Sequence, residues 1–323
     1  MTTHRVAAAL AASFALLTAP LAFAQYPTHT VTIVVPFPPG GGTDTGTRII
    51  ATRLAQKWGQ SVIVENKPGA AGMIGAETVS KAKPDGYTLM MGNIGTQSIN
   101  PSLYKKMPYD ADTAFTPVTL VAELPSVLLA GPAVKAKSAK ELIALAKASP
   151  GKITYSSSGS GGSMHLAGAL FEKESRTELL HIPYKGGGPA IADLIAGHVD
   201  ISFATILESS GHIKSGRLRA IAVTSDKRYP TLPDVPTLSE SGLPGFNTGS
   251  WIGILAPAGT PKDLVEKIAK DVGDIVKSPD VREQLIAQGA TPVGGSPREF
   301  AALIEADRKR YAQIIRDRNI SAD

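Results

Sequence analysis

The 323-residue chain contains no cysteine. That absence excludes thiolate zinc sites, iron–sulfur clusters, thiol nucleophiles and disulfides. It leaves the redox compartment open, because a chain without thiols is indifferent to it. Aromatic residues are sparse, with 8 Phe, 8 Tyr and 2 Trp, too few for a base-stacking platform. The net charge is only +5 and is spread over many segments, so no nucleic-acid partner is expected. Beyond residue 25 no apolar run approaches the length of a membrane span. Catalytic and cofactor signatures are missing as well. The six histidines form neither H-x-x-x-H nor H-E-x-x-H, and no G-x-S-x-G occurs. Thr45 stands where a dinucleotide fingerprint needs its third glycine, and Thr47-Arg48 follows Gly46 where a P-loop needs lysine. No two acidic residues stand out as an acid/base pair. No cofactor, metal or catalytic residue is expected.

What is present begins with an address. His4 and Arg5 open the chain, Val6 to Leu17 is small and apolar, and Ala22-Phe23-Ala24 is an A-x-A cleavage pattern. Residues 1–24 are expected to be an export signal cut after Ala24, which places the mature protein in the periplasm.

The remainder alternates strand and helix patterns. Strands are expected at Val31–Val35, Ser61–Glu65 and Tyr87–Met91, with helices from about Asp44 to Trp58 and at Ala71–Lys81. The middle repeats the pattern, with strands at Val127–Ala130, Ile153–Ser157, Leu179–Ile182, Val199–Ala204 and Leu218–Thr224. Between them helices are expected at Ala139–Ala148, Ser163–Lys173 and Pro189–Ala196. The Pro- and Gly-rich stretch from Tyr229 to Gly249 reads as a crossing between lobes rather than a core element. A strand at Trp251–Ala256 and helices starting at Pro261, Pro279 and Pro297 complete the chain. The expected architecture is α/β, with two lobes joined by a hinge of two chain crossings. Lobe 1 takes residues 26–124 plus 248–323, lobe 2 takes 125–247, and a cleft lies between them.

Three Gly-rich loops each join a strand to a helix: Pro36 to Asp44, Ser156 to Ser163, and Tyr184 to Pro189. Loops at the carboxyl ends of strands form the ligand crevice of open α/β sheets. Glycine lets backbone approach closely, and a helix start offers unpaired N–H groups with partial positive charge, a natural seat for an anion. Thr43, Asp44 and Ser163 also suit helix capping, and a capping role is the simpler expectation for Asp44. Asn93 and Gln97 follow a strand and are candidates for the crevice. His165 is expected to pack against the next strand rather than meet ligand.

Motifs along essentially the whole mature chain resemble the Bug family of periplasmic solute-binding receptors of tripartite tricarboxylate transporters. They include Val34-Val35-Pro36-Phe37 running into Gly40-Gly41-Gly42-Thr43-Asp44, Val64-Glu65-Asn66-Lys67-Pro68-Gly69, Pro84-Asp85-Gly86-Tyr87, His181-Ile182-Pro183-Tyr184-Lys185-Gly186 and Pro233-Asp234-Val235-Pro236-Thr237. The resemblance implies a Venus flytrap of the class II type that closes on a small organic carboxylate and delivers it to membrane permease subunits. It implies a ligand shell of Phe37, Gly41, Thr43 and Asp44 with Ser158, Gly159 and Ser163, to which Ala204 and Thr205 are added. A monomer is expected. Pro38-Pro39 and Asn93 to Gln97 depart from the family's usual small or hydroxyl residues. A ligand-sensing module that signals to a membrane kinase is the alternative, and a periplasmic hydrolase is a weaker third.

Overall fold

The structure is a computed structural model and describes residues 26–317 together with residue 320. The expected export signal lies outside the described residues. In chain order the first elements are β1 (Val31–Val35), α1 (Gly42–Trp58), β2 (Val62–Asn66), α2 (Met73–Ser80), β3 (Thr88–Asn93), α3 (Asn100–Leu103) and β4 (Phe115–Ala130). Next come α4 (Ala139–Ala148), β5 (Thr154–Ser157), α5 (Ser163–Ser175), β6 (Leu180–Pro183), α6 (Gly187–Ala196), β7 (Ile201–Thr205), α7 (Ile206–Lys214) and β8 (Arg219–Val223). The last are β9 (Gly249–Pro257), α8 (Lys262–Lys277), α9 (Pro279–Gln288), β10 (Thr291–Pro292) and α10 (Pro297–Asp317).

Strands β2, β1 and β3 run parallel, as crossover connections through α1 and α2 require. β9 joins β3 antiparallel, β4 joins β9 antiparallel, and β10 pairs with β4. In the other half β6, β5 and β7 run parallel, and both β7 and β8 pair antiparallel with β4. β4 therefore belongs to both halves. It pairs with β9 as far as Pro125 opposite Gly249, and from Ser126 onward with β7. Each half of the sheet is covered on both faces. Ile50, Leu54, Ile268 and Val272 pack on one face of the first half, and Met90, Leu255, Phe300 and Ile304 on the other. Phe171, Phe203 and Leu142 cover one face of the second half, and Ile191, Leu194 and Val223 the other. The β-branched sequence of β1, apolar at every position but Thr32, follows from this burial on both sides. The result is a two-lobed α/β fold.

Three expectations are corrected. β4 is 16 residues long, not the four of Val127–Ala130. Pro117 and Pro125 mask its first part, and register shifts at Pro117/Thr119 and Leu120/Ala122 break the alternation that would reveal it. A helix, α7, fills residues 206–214, where none is expected. The stretch from Tyr229 to Gly249 is a core element of the second lobe. Leu238, Leu243 and Phe246 are buried against Phe203 and Ile221, and Leu238 N–H donates to the Val223 carbonyl at 2.9 Å.

Candidate functional site

Helices α1, α5 and α6 start from the three Gly-rich loops, and their N-caps are Gly41, Gly162 and Gly186. A glycine cap has no side chain to accept from the first-turn N–H groups, and none of these helices has a side-chain cap. No side chain of their own helices engages these first-turn N–H groups; at α1 the Gly42 N–H is taken by Glu208 of α7 at 3.2 Å. Thr43, Asp44 and Ser163 lie inside the first turns rather than at the caps, so Asp44 does not take the capping role expected of it.

Loop geometry fixes the first of these starts. Asp44 accepts from Gly40 N–H at 3.0 Å, from Arg48 Nε at 3.1 Å and from Asn66 Nδ2 at 2.9 Å. Burial pushes its carboxyl up, but the hydrogen bonds from Arg48, Gly40 and Asn66 outweigh this and hold it below the usual carboxylate range. Asp44 thus pins the loop. Asn66 Nδ2 also donates to the Phe37 carbonyl at 3.0 Å, which holds Phe37 at the rim.

The first and third loops meet across the cleft because the third is glycine. A Cβ on Gly186 would fall 2.5 Å from Pro38 Cδ, and one on Gly188 would fall 2.6 Å from the Pro39 carbonyl oxygen. The Pro38-Pro39 departure from the family pattern is thereby absorbed, since these prolines lie against the third loop. On the second loop, Gly161 N–H donates to His165 Nδ1 at 2.8 Å. His165 stacks on His181 of β6 with ring centroids 4.0 Å apart, and His181 Nε2 lies 2.6 Å from Ser157 Oγ. His165 therefore props the loop from behind.

Two adjoining cavities, of about 40 and 20 Å³, lie among these helix starts and share Phe37, Asn93, Ser158 and Ser163 as walls. The larger is also lined by Gly41, Thr43, Thr205 and Glu208, and the smaller by Gly159, Ala71 and Asn100. Asn93 Nδ2 donates to Thr43 Oγ1 at 3.3 Å, tying the end of β3 to the start of α1. Eight of the ten expected shell residues therefore border the two cavities. Asp44 and Ala204 do not. Asp44 is turned to Arg48 and Asn66, and Ala204 is fully buried in the core beneath α6 and α7. Gln97 is also buried away from the cavities, with Arg308 Nε donating to its carbonyl.

Sequence reasoning missed Glu208, Ala71 and Asn100. Glu208 closes a capping box on α7 with Thr205, a Thr-x-x-Glu signal that the sequence does carry. Ala70 and Ala71 adopt left-handed backbone at φ 47° and 53°, which no alanine announces. Asn100 Nδ2 supports that strained turn by donating to the Ala71 carbonyl at 3.0 Å. Among the described residues no group of acidic residues and histidines is placed to hold a metal ion.

The stacked histidines make stability depend on pH. Burial, and secondarily the neighbouring His165, push His181 down to about 3, and burial pushes His165 down as well. Both are neutral when folded, whereas the unfolded chain takes up protons below about pH 6.5. Stability is full above that pH and falls as pH drops, through His181 down to about 3, with the lowered His165 adding to the fall in the same direction. Melting temperatures between pH 7 and 4 are expected to fall steeply in the wild type and less steeply in His181→Gln.

The family model described as "Tripartite tricarboxylate transporter family receptor" matches residues 47–320. Protein BugT of Bordetella pertussis is 35% identical, over 93% of this chain and 93% of its own. The solved periplasmic binding protein BugD is 36% identical with a TM-score of 0.87, covering 92% of this chain and 99% of that one. An R. palustris protein solved with adipate is 36% identical with a TM-score of 0.90, also covering 92% and 99%. Two lobes, Gly-capped helix starts facing a shared cleft and matches along nine-tenths of the chain lead to one assignment: the chain belongs to the tripartite tricarboxylate transporter receptor family, as a Bug-type solute-binding receptor.

Proposed function

We propose that this receptor captures a small organic carboxylate between its lobes and hands it to the permease subunits of a tripartite tricarboxylate transporter, without turning it over. The observation that carries the reading is the convergence of glycine-capped helix starts and hydroxyls from Thr43, Ser158, Ser163 and Thr205 on shared cavities. Backbone N–H groups at helix starts hold a carboxylate without any cationic side chain, and the cavities have no Lys or Arg in their walls. The adipate in the R. palustris relative is a ligand of the same class. Nothing in the walls resembles a nucleophile with its base.

The lobes are assigned as residues 26–124 with 248–323, and residues 125–247. The partner switch of β4 between Pro125 and Ser126 and the start of β9 at Gly249 support hinge passages there. Closure about them would couple ligand to a permease-facing surface through differential affinity for the closed state. Export to the periplasm with cleavage after Ala24, and a monomeric state, complete the reading. A thermal-shift screen of the mature chain against organic acids tests it. At a hundredfold excess over Kd a bound acid adds about 2.7 kcal/mol, a rise of roughly 5 °C for a protein of this size. A folded protein unmoved by every acid would contradict the proposal.

A further inference from the structure

The cleft of this protein already contains a carboxyl group of its own, one that burial pushes up from the usual range against the hydrogen bonds from Thr205 and Gly42. Glu208, on the first turn of α7, reaches across to lobe 1, where its Oε2 accepts from Gly42 N–H at 3.2 Å. Its other oxygen accepts from Thr205 N–H at 2.8 Å. The same Oε2 fills the space where Gly187, at the start of α6, would carry a side chain, since a Cβ there would lie 2.2 Å from it. Three helix starts, those of α1, α6 and α7, therefore surround one carboxylate, with partial positive charge on each. Helix starts arranged in this way hold an anion from solution; here the chain supplies it.

The rest of the cavity walls sharpen the point. Glu208 is the one ionisable side chain in the walls of the two cavities, and no cation there offsets it. The start of α5 beside Ser158, Gly159 and Ser163 has no side-chain cap, and the smaller cavity that it borders has no acid in its walls. The site thus has one open anion seat and one occupied seat. A ligand with carboxylates at both ends would bring its second charge against Glu208, with Gly42 N–H and Thr205 N–H there already engaged.

Resting on the receptor reading above, we propose that Glu208 fills the seat a second ligand carboxylate would take, so that this receptor selects organic acids with a single carboxylate over dicarboxylates of matched length. Glu208 is on this account a specificity-determining residue.

Isothermal titration of the mature chain with matched pairs tests this: butyrate and succinate, hexanoate and adipate, lactate and malate, benzoate and terephthalate. The wild type is expected to bind the monocarboxylate of its preferred pair at least tenfold more tightly than the dicarboxylate. Glu208→Gln keeps an acceptor for Thr205 N–H and a capping-box residue on α7, and is expected to move that ratio at least tenfold toward the dicarboxylate. The wild-type ratio is read without any variant, so a variant that fails to fold does not protect the proposal. A wild type that binds the dicarboxylate as tightly or more tightly overturns it. So does a folded Glu208→Gln with an unchanged ratio, and in either case the receptor reading stands. Binding of no acid by a folded wild type overturns the receptor reading and this inference together.

Discussion

Replacing Gly188 with alanine is expected to weaken organic-acid binding at least tenfold while leaving the melting temperature unchanged or slightly higher. Gly188 sits in the first turn of α6 and its φ is not in the left-handed region. Alanine is therefore unstrained locally and is the better helix former by up to about 1 kcal/mol. The cost arises only across the cleft. The added methyl would lie 2.6 Å from the Pro39 carbonyl oxygen of the opposite lobe, where backbone cannot swing aside as a side chain can. The lobes must stay further apart, and an acid held from both sides loses one set of partners. Gly211→Ala is the control. It lies within α7 with no atom within 4 Å of the added methyl, and both binding and folding should be retained. Calorimetric Kd and melting temperature, measured on both variants, separate closure from stability. Equal binding by Gly188→Ala would remove lobe contact from the account.

The second large effect is on folding. Gly168→Ala, in the middle of α5, would put a methyl 2.3 Å from Tyr155 Cε2 and within 2.8 Å of two further ring atoms. Tyr155 is 1% exposed, and His181 stacks on it at 4.9 Å. The ring has no solvent side to move into. Overpacking of this kind costs about 1–3 kcal/mol, and any shift of Tyr155 passes through His181 to Ser157 and the second loop. Urea unfolding should show a lower midpoint with an unchanged slope. A midpoint within error of the wild type would mean that the helix and strand are less tightly opposed than this structure has them.

The parts of the site legible in the sequence share a physical cause. A loop that lets backbone approach a ligand needs glycine, and a helix start at a strand's carboxyl end advertises itself by hydroxyls beside those glycines. Gly41, Thr43, Ser158, Gly159 and Ser163 were readable for that reason, and all border the cavities. The parts that were not legible depend on contacts between distant segments. Glu208 matters because α7 faces α1 across the cleft, 166 positions away, and no local pattern encodes that meeting. Ala204, adjacent in sequence to Thr205, points to the opposite side of β7 and is lost to the core, as the two-residue period of a strand dictates. Asp44 carries the right chemistry for a ligand, but Arg48 one turn on and Asn66 on the neighbouring strand engage its carboxylate. Among the elements, the long β4 was hidden by its prolines and bulges, and the turn-rich stretch ending at Gly249 by a composition that suits a linker. Its buried Leu238, Leu243 and Phe246 show that apolar residues spaced between turns can form a core without regular structure.

The central claim is that two lobes close on one small organic acid through backbone groups of helix starts. Isothermal titration of the mature wild type and of Gly188→Ala, with the acid that gives the largest thermal shift, tests it most directly. The account predicts one site per chain in the wild type and an affinity at least tenfold lower in the variant. A folded wild type that gives no binding heat with any organic acid, or binds with a stoichiometry far from one, would contradict it.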